Sequence, residues 1–155
     1  MNRSEELKQK YNLEIHPEGG WFSEVYTSPS GFEGRAFMGS ICFLLEGKDI
    51  SHFHQIDCDE IWFYHEGCSM RITMILNGKV SEAVLGTGEG QAAMVVIPEG
   101  AVFAAENLDK ENYCFMSCAT TPKFTYDGFR ILGREEVKAL CPSEFEQLEY
   151  LVIEK

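Results

Sequence analysis

The feature that most constrains this chain is the regular alternation of short apolar runs with turn signals. Between Trp21 and Ala119 eight such runs occur: WFSEVY, AFMGSICFLL, EIWFYH, MRITMIL, VSEAVL, AAMVVI, AVFAAE and YCFMSCA. They are rich in β-branched and aromatic residues and have strand length, so the series predicts an all-β sandwich or barrel. The separators are explicit: Pro29 with Gly31, Gly47-Lys48-Asp49, Glu66-Gly67, Asn77-Gly78, the glycines Gly86, Gly88 and Gly90, and Pro98-Glu99-Gly100. Asn77-Gly78 is the sharpest of them, because both residues tolerate the positive φ that a type I′ hairpin turn demands.

Both ends change character. Residues 3–11 (RSEELKQKY) are helix formers with Asn2 and Ser4 as cap candidates, and Pro17, Gly19 and Gly20 stop any continuation. In the tail, residues 134–140 (REEVKAL) read as helix, Pro142 interrupts, and Ser143 with Glu146 has capping-box spacing ahead of Phe145 and Leu148. No linker, repeat or low-complexity segment divides the chain, and 155 residues suit one domain. The expected organisation is a single unit over 1–155, with its core at about 13–135 and a helical tail at 134–150.

Composition excludes several classes of partner. With 25 acidic and 13 basic residues the net charge is −12, which repels nucleic acid and anionic membranes. No apolar run reaches the length of a membrane span and the start, MNRSEELKQK, is polar, so the default expectation is a cytoplasmic protein. Six cysteines lie scattered without a C-x-x-C pair and are expected to be reduced. Cys114 and Cys118 share a strand face as small buried apolar residues. Phosphate-loop, nucleophile-elbow, dinucleotide and zinc-finger signatures are all missing.

Chemistry concentrates in one stretch. Three of the four histidines, His52, His54 and His65, fall between positions 52 and 65. On a regular strand His52 and His54 point to one side, and a carboxylate from the next strand completes a set of two imidazoles and one acid suited to iron, manganese, nickel or zinc. Glu60 is that carboxylate. It shares its inward register with Trp62 and Tyr64, whereas Ile61, Phe63 and His65 face away. An inward carboxylate is costly unless paired, coordinated or protonated, and a salt bridge to Arg35 or Arg71 competes with the ligand role. Without a metal, His52 or His54 is a candidate general base, and Tyr64 or Tyr113 a candidate acid. Trp21, Phe22, Trp62, Phe103 and Phe124 either line a pocket or fill a small barrel. The segment His16-Pro17-Glu18-Gly19-Gly20-Trp21 is unusual, because two adjacent glycines imply close backbone approach or positive φ of the kind that borders sites.

These residues resemble a known family. Gly47-x4-His52-x-His54-x5-Glu60-x6-Gly67 is similar to the first motif of the cupin superfamily, and Gly90-x7-Pro98-x-Gly100 to the second. The likeness is nearest to the cupin-5 group, a domain of unknown function said to resemble sugar-nucleotide epimerase cupins. Its marks are HPEGGWFSEVY at 16–26, FLL at 43–45, SHFH at 51–54, DEIWFYHEG at 59–67, LG at 85–86, GQ at 90–91, VVIPEG at 95–100 and P-x-F at 122–124. The resemblance covers roughly residues 13–135. It implies a cupin-type double-stranded β-helix, or jelly-roll barrel, with short helices at both ends and pairing into a homodimer.

It also implies a small polar ligand inside the barrel, a sugar derivative or an organic acid. Trp21, Arg35, Trp62, Gln91 and Phe103 are then the candidate ligand contacts. Activity would be isomerase- or epimerase-like with His52, His54 and Tyr64 as catalytic residues, or metal-dependent through His52, His54 and Glu60. The alternative is a non-catalytic metabolite-binding or sensing module. The departures are specific. Metal-binding cupins continue the second motif as P-x-G-x-x-H, but Ala101, Val102 and Phe103 stand here and the third imidazole is absent. Ser23 replaces an arginine common in the group. Glu60 also follows His54 after five intervening residues instead of three or four, so Asp57 and Asp59 contest its role.

Overall fold

The computed structural model describes residues 1–154. In chain order the elements are α1 (Arg3–Tyr11), β1 (Glu14–Ile15), β2 (Trp21–Thr27), β3 (Gly31–Phe32), β4 (Arg35–Ala36), β5 (Gly39–Glu46) and β6 (Ile50–Ile56). They continue as β7 (Asp59–Gly67), β8 (Met70–Leu76), β9 (Lys79–Leu85), β10 (Met94–Ile97), β11 (Val102–Asn107), β12 (Tyr113–Thr121), β13 (Phe129–Ile131), α2 (Arg134–Leu140) and α3 (Phe145–Leu148). Two antiparallel sheets face each other, in the orders β1-β2-β5-β12-β7-β10 and β13-β6-β11-β8-β9, and β3 with β4 forms a separate hairpin. This is the expected jelly-roll sandwich with short helices at both ends. Strands β1, β6 and β13 and the β3–β4 hairpin are additions to the eight expected runs.

The longest apolar runs are explained by burial on both faces. Along β5, Phe43 and Leu45 enter the inter-sheet core, whereas Cys42 and Leu44 point outward beneath Leu7 of α1. Along β11, Phe103 and Ala105 point in, and Val102 and Ala104 point out against Val137, Phe145, Leu148 and Leu151 of the tail. With each outer face partly roofed by helix, a strand needs apolar residues at both phases of its two-residue period. Cys114 and Cys118 both lie in the inter-sheet core, and all six cysteines are free thiols.

Local rules hold at the ends and turns. Asn2 caps α1 in a capping box with Glu5, and Asn77 and Gly78 adopt φ of 52° and 73° between β8 and β9, as a type I′ turn requires. The expected box between Ser143 and Glu146 does not form. The Glu144 amide instead donates to the Cys141 carbonyl, and this turn makes Glu144 the residue ahead of α3.

The tail therefore acts as a hydrophobic cover on the five-stranded sheet. Leu151 is completely buried there, so Leu151→Ala is expected to cost about 3 kcal/mol in urea unfolding. A loss below about 1 kcal/mol would mean that the tail is not part of the cooperative core.

Candidate functional site

The inter-sheet space is filled at one end and hollow at the other. Met70, Ile72, Leu85 and Cys114 belong to the filled core. The hollow is a cavity of about 690 Å³, within the range of small-molecule sites. Its walls include Phe22, Phe43, Trp62 and Phe124, its polar interior holds His16, Glu18, His54 and Glu60, and Arg35 and Lys123 stand among its lining residues.

His54 reaches the interior because β6 is irregular. Phe103 pairs with His54 and Ala105 pairs with Ser51, so His52 and Phe53 together oppose Ala104 in a β-bulge. The extra residue resets the alternation. Ser51 and His54 therefore share Glu18 as a partner, and Phe53 packs in the tail-covered core. The expectation that His52 and His54 point to one side fails for this reason. His52 lies outside the cavity lining, and both its backbone N–H and its Nδ1–H donate to the Glu18 carbonyl at 2.8 Å.

The segment His16 to Gly20 supplies the other half of the site. Gly19 has φ of 110°, and a Cβ there would stand 2.0 Å from the Ile50 carbonyl oxygen; at Gly20, with φ of 84°, it would meet the Phe43 ring at 2.6 Å. Only glycine permits this approach, which carries Glu18 into the barrel at 6 % exposure. One Glu18 oxygen, Oε2, lies 2.6 Å from His54 Nε2 and accepts the Ser51 hydroxyl at 2.7 Å. His54 Nδ1–H donates to the His52 carbonyl at 2.6 Å, so both ring nitrogens are committed to protein partners. Burial works against charge on either side chain, but mutual attraction and these hydrogen bonds outweigh it. Glu18 is held below the ordinary carboxylate range and His54 above the ordinary imidazole value, which makes them an ion pair.

His16 differs in kind. Its Nδ1 accepts the Glu18 backbone N–H at 3.2 Å, leaving the proton on Nε2. Burial, foremost, lowers its pKa and keeps it neutral, so its 3.2 Å approach to Glu18 Oε1 is not an ion pair. The ring sits edge-on to Phe22, 4.6 Å between centroids.

Glu60, 8 % exposed, lines the same cavity and accepts a hydrogen bond from Trp62 Nε1–H. Burial, reinforced by the negative charge of Glu18, pushes its pKa up to about 7 against the opposing influence of His54, Trp62 and Cys118. Its expected competitors are engaged elsewhere: Asp57 binds both terminal nitrogens of Arg35, and Asp59 accepts the Glu99 amide. The expected salt bridge is absent too, because Arg35 pairs with Asp57 and Arg71 faces Glu82 and Glu106.

The remaining expected contacts divide. Arg35 and Trp62 line the cavity, and Phe103 forms a layer beneath it, 4.1 Å from the His54 ring centroid. Trp21 does not enter: it neighbours Phe22 on β2, so alternation turns it outward under α1, with Lys8 Nζ over its ring. Gln91 accepts from Ser69 and the Gly88 amide and pins the glycine loop. Tyr64 lies outside the lining and donates its hydroxyl proton to the Gly67 carbonyl at 2.6 Å, and Tyr113 packs under α1. Neither is placed to act as an acid in the cavity. His16 and Glu18 are the site residues that residue order does not single out, although the paired glycines that deliver them mark the segment.

The metal set expected from His52, His54 and Glu60 does not assemble. His52 is turned away, both His54 nitrogens are occupied, and Phe103 lies on His54 at the position of the third imidazole in metal-binding cupins. Among the described residues no group of three or more His, Cys, Asp or Glu side chains is arranged to hold a metal ion.

Two outcomes are expected from this geometry. Gly19→Ala should cost about 3 kcal/mol or more by calorimetry, because the added methyl collides with backbone at positive φ; a near-neutral effect would show that the segment can leave the barrel freely. Glu60 carries a folded-state pKa above its unfolded value, so its contribution is fully present below pH 4.5 and is lost as pH rises through about 7. Between those values wild-type stability should fall by at most about 3 kcal/mol relative to Glu60→Gln. Parallel profiles would refute the assignment.

Comparison with known proteins follows the same lines. Residues 5–132 match the family described as Cupin superfamily (DUF985). The structure is similar to that of protein SO0799 from Shewanella oneidensis, at 29 % identity over 100 % of both chains with a TM-score of 0.93. It is also similar to a hypothetical protein from Leishmania major, at 26 % identity over 99 % of this chain and 100 % of that one, with a TM-score of 0.90. A single-substitution variant of oxalate decarboxylase from B. subtilis shares the fold alone, at 18 % identity over 88 % of this chain and 36 % of that one, with a TM-score of 0.57. A search of curated proteins found no match. The chain belongs to the cupin superfamily, in the family described as DUF985.

Proposed function

We propose that the cavity binds a small polar molecule and moves a proton on it, an isomerase- or epimerase-like activity. The observation that carries this reading is the pair of buried carboxyls in one cavity, Glu18 held ionised by His54 and Glu60 poised at about 7. Environments that push two carboxyls apart in this way separate an electrostatic role from an acid–base role. Glu60 accepts a proton from a carbon next to a carbonyl. The neutral Nε2–H of His16 donates to the carbonyl oxygen as negative charge develops there. Glu60 then delivers a proton, exchangeable with solvent, to the former carbonyl carbon of the enediolate while the neighbouring hydroxyl proton passes to the former carbonyl oxygen, so the substrate leaves as an isomer and the enzyme is unchanged. The Glu18–His54 pair is a positioning element: the Glu18 amide sets the His16 tautomer and its carboxylate keeps Glu60 basic.

Of the two ligand classes expected, a sugar derivative suits the lining better than an organic acid, because Arg35, Lys123 and His54 each already face a carboxylate. The commitment of both His54 nitrogens supports a second reading, a non-catalytic metabolite-binding module. Proton NMR in D2O separates the two with a panel of aldoses, ketoses and amino sugars. Exchange of a substrate C–H for deuterium, slowed about 100-fold or more by Glu60→Gln, is the expected result. Saturable binding with no deuterium incorporation would establish the passive binder instead.

A further inference from the structure

We infer that the ligand of this cavity is a small organic cation, an amino sugar or another amine-bearing sugar derivative. This deepens the proposed function by naming the charge of its ligand, and it rests on the cavity being the ligand site. The argument is one of charge pairing. Three positively charged groups line the cavity, and each has its own acid: His54 Nε2 lies 2.6 Å from Glu18, Arg35 Nη2 2.8 Å from Asp57, and Lys123 Nζ 2.6 Å from Glu24. An anion entering the cavity finds no uncommitted cation and must break one of these pairs to gain a partner.

Two lining carboxyls stand outside the pairs. Among the described residues neither Glu60 nor Asp127 has a Lys, Arg or His nitrogen within ion-pair distance. Glu60 is deep, with only the Trp62 N–H and the Cys118 thiol as donors, and Asp127 belongs to the exposed 126–128 turn. A cation is the guest that gains from Glu60 without displacing anything.

The walls suit the same guest. Phe22, Phe43, Trp62 and Phe124 line the cavity, and aromatic quadrupoles attract cations, most strongly alkylated ammonium groups, which shed water readily. The net charge of −12 adds a long-range field that draws cations toward the protein.

Three isosteres isolate the charge: choline, its uncharged analogue 3,3-dimethylbutan-1-ol, and 3,3-dimethylbutanoate. Each is titrated into the wild-type protein and the indole N–H resonance of Trp62 is followed, because that group donates to Glu60. Choline is expected to saturate the shift and to bind ~10-fold more tightly than the neutral alcohol, with the anion weakest. In Glu60→Gln the preference for choline over the alcohol should shrink to ~3-fold or less while the alcohol binds as before. If the alcohol or the anion matches choline, the charge assignment is overturned and the ligand site itself survives. If no compound moves the Trp62 resonance, the inference fails outright, whatever the deuterium-exchange experiment returns.

Discussion

A carboxylate buried inside a β-sandwich is the condition around which this molecule is organised. Glu18 loses nearly all contact with solvent, and an ionised carboxyl without compensation there would cost several kcal/mol. Compensation comes from one strand: His54 and Ser51 bind its side chain, and the His52 backbone and ring hold its carbonyl. That arrangement requires the bulge in β6, since a regular strand would not turn Ser51 and His54 to the same partner. It equally requires Gly19 and Gly20, since no other residue lets the segment pass so close to Ile50 and Phe43.

The cavity is a consequence of how the rest of the sandwich is stabilised. Two outer covers, α1 on one sheet and the tail on the other, bury apolar area that a bare sandwich would expose. The fold therefore does not depend on filling the whole inter-sheet space, and one end can remain hollow with polar groups inside. Those groups are arranged in depth. Arg35, Asp57, Lys123 and Glu24 form two partly exposed pairs among the lining residues, and the Glu18–His54 pair and Glu60 are buried. Electrostatic effects are stronger at the second level, where burial lowers the effective dielectric. This is why Glu60, and not the more exposed Asp57, has its pKa raised, while Asp57 beside Arg35 has its own lowered.

Much of this was readable from residue order. Strands β8 and β9 follow from alternation around Asn77-Gly78, α1 and α2 from helix-forming segments with clear ends, and the inward placement of Glu60 and Trp62 from a two-residue period that β7 obeys. The same period misled at one place: applied to β6 it put His52 beside His54, where a bulge shifts the count. At Tyr64 the inward register holds, but the ring packs against the inter-sheet core outside the cavity lining and its hydroxyl donates to the Gly67 carbonyl.

Residue order settled the class of fold, the family, the positions of the turns and the inward direction of Glu60, because each depends on local chemistry or on a short period. Only the tertiary structure decided that His16 and Glu18 complete the site and that His52 does not. Those outcomes rest on contacts between segments far apart in the chain: Gly19 against the Ile50 carbonyl, Glu18 against His54, and Phe103 in register with His54. A bulge is chosen by the partner strand and a buried carboxylate by the groups that compensate it. Neither leaves a periodic trace in the residues around it.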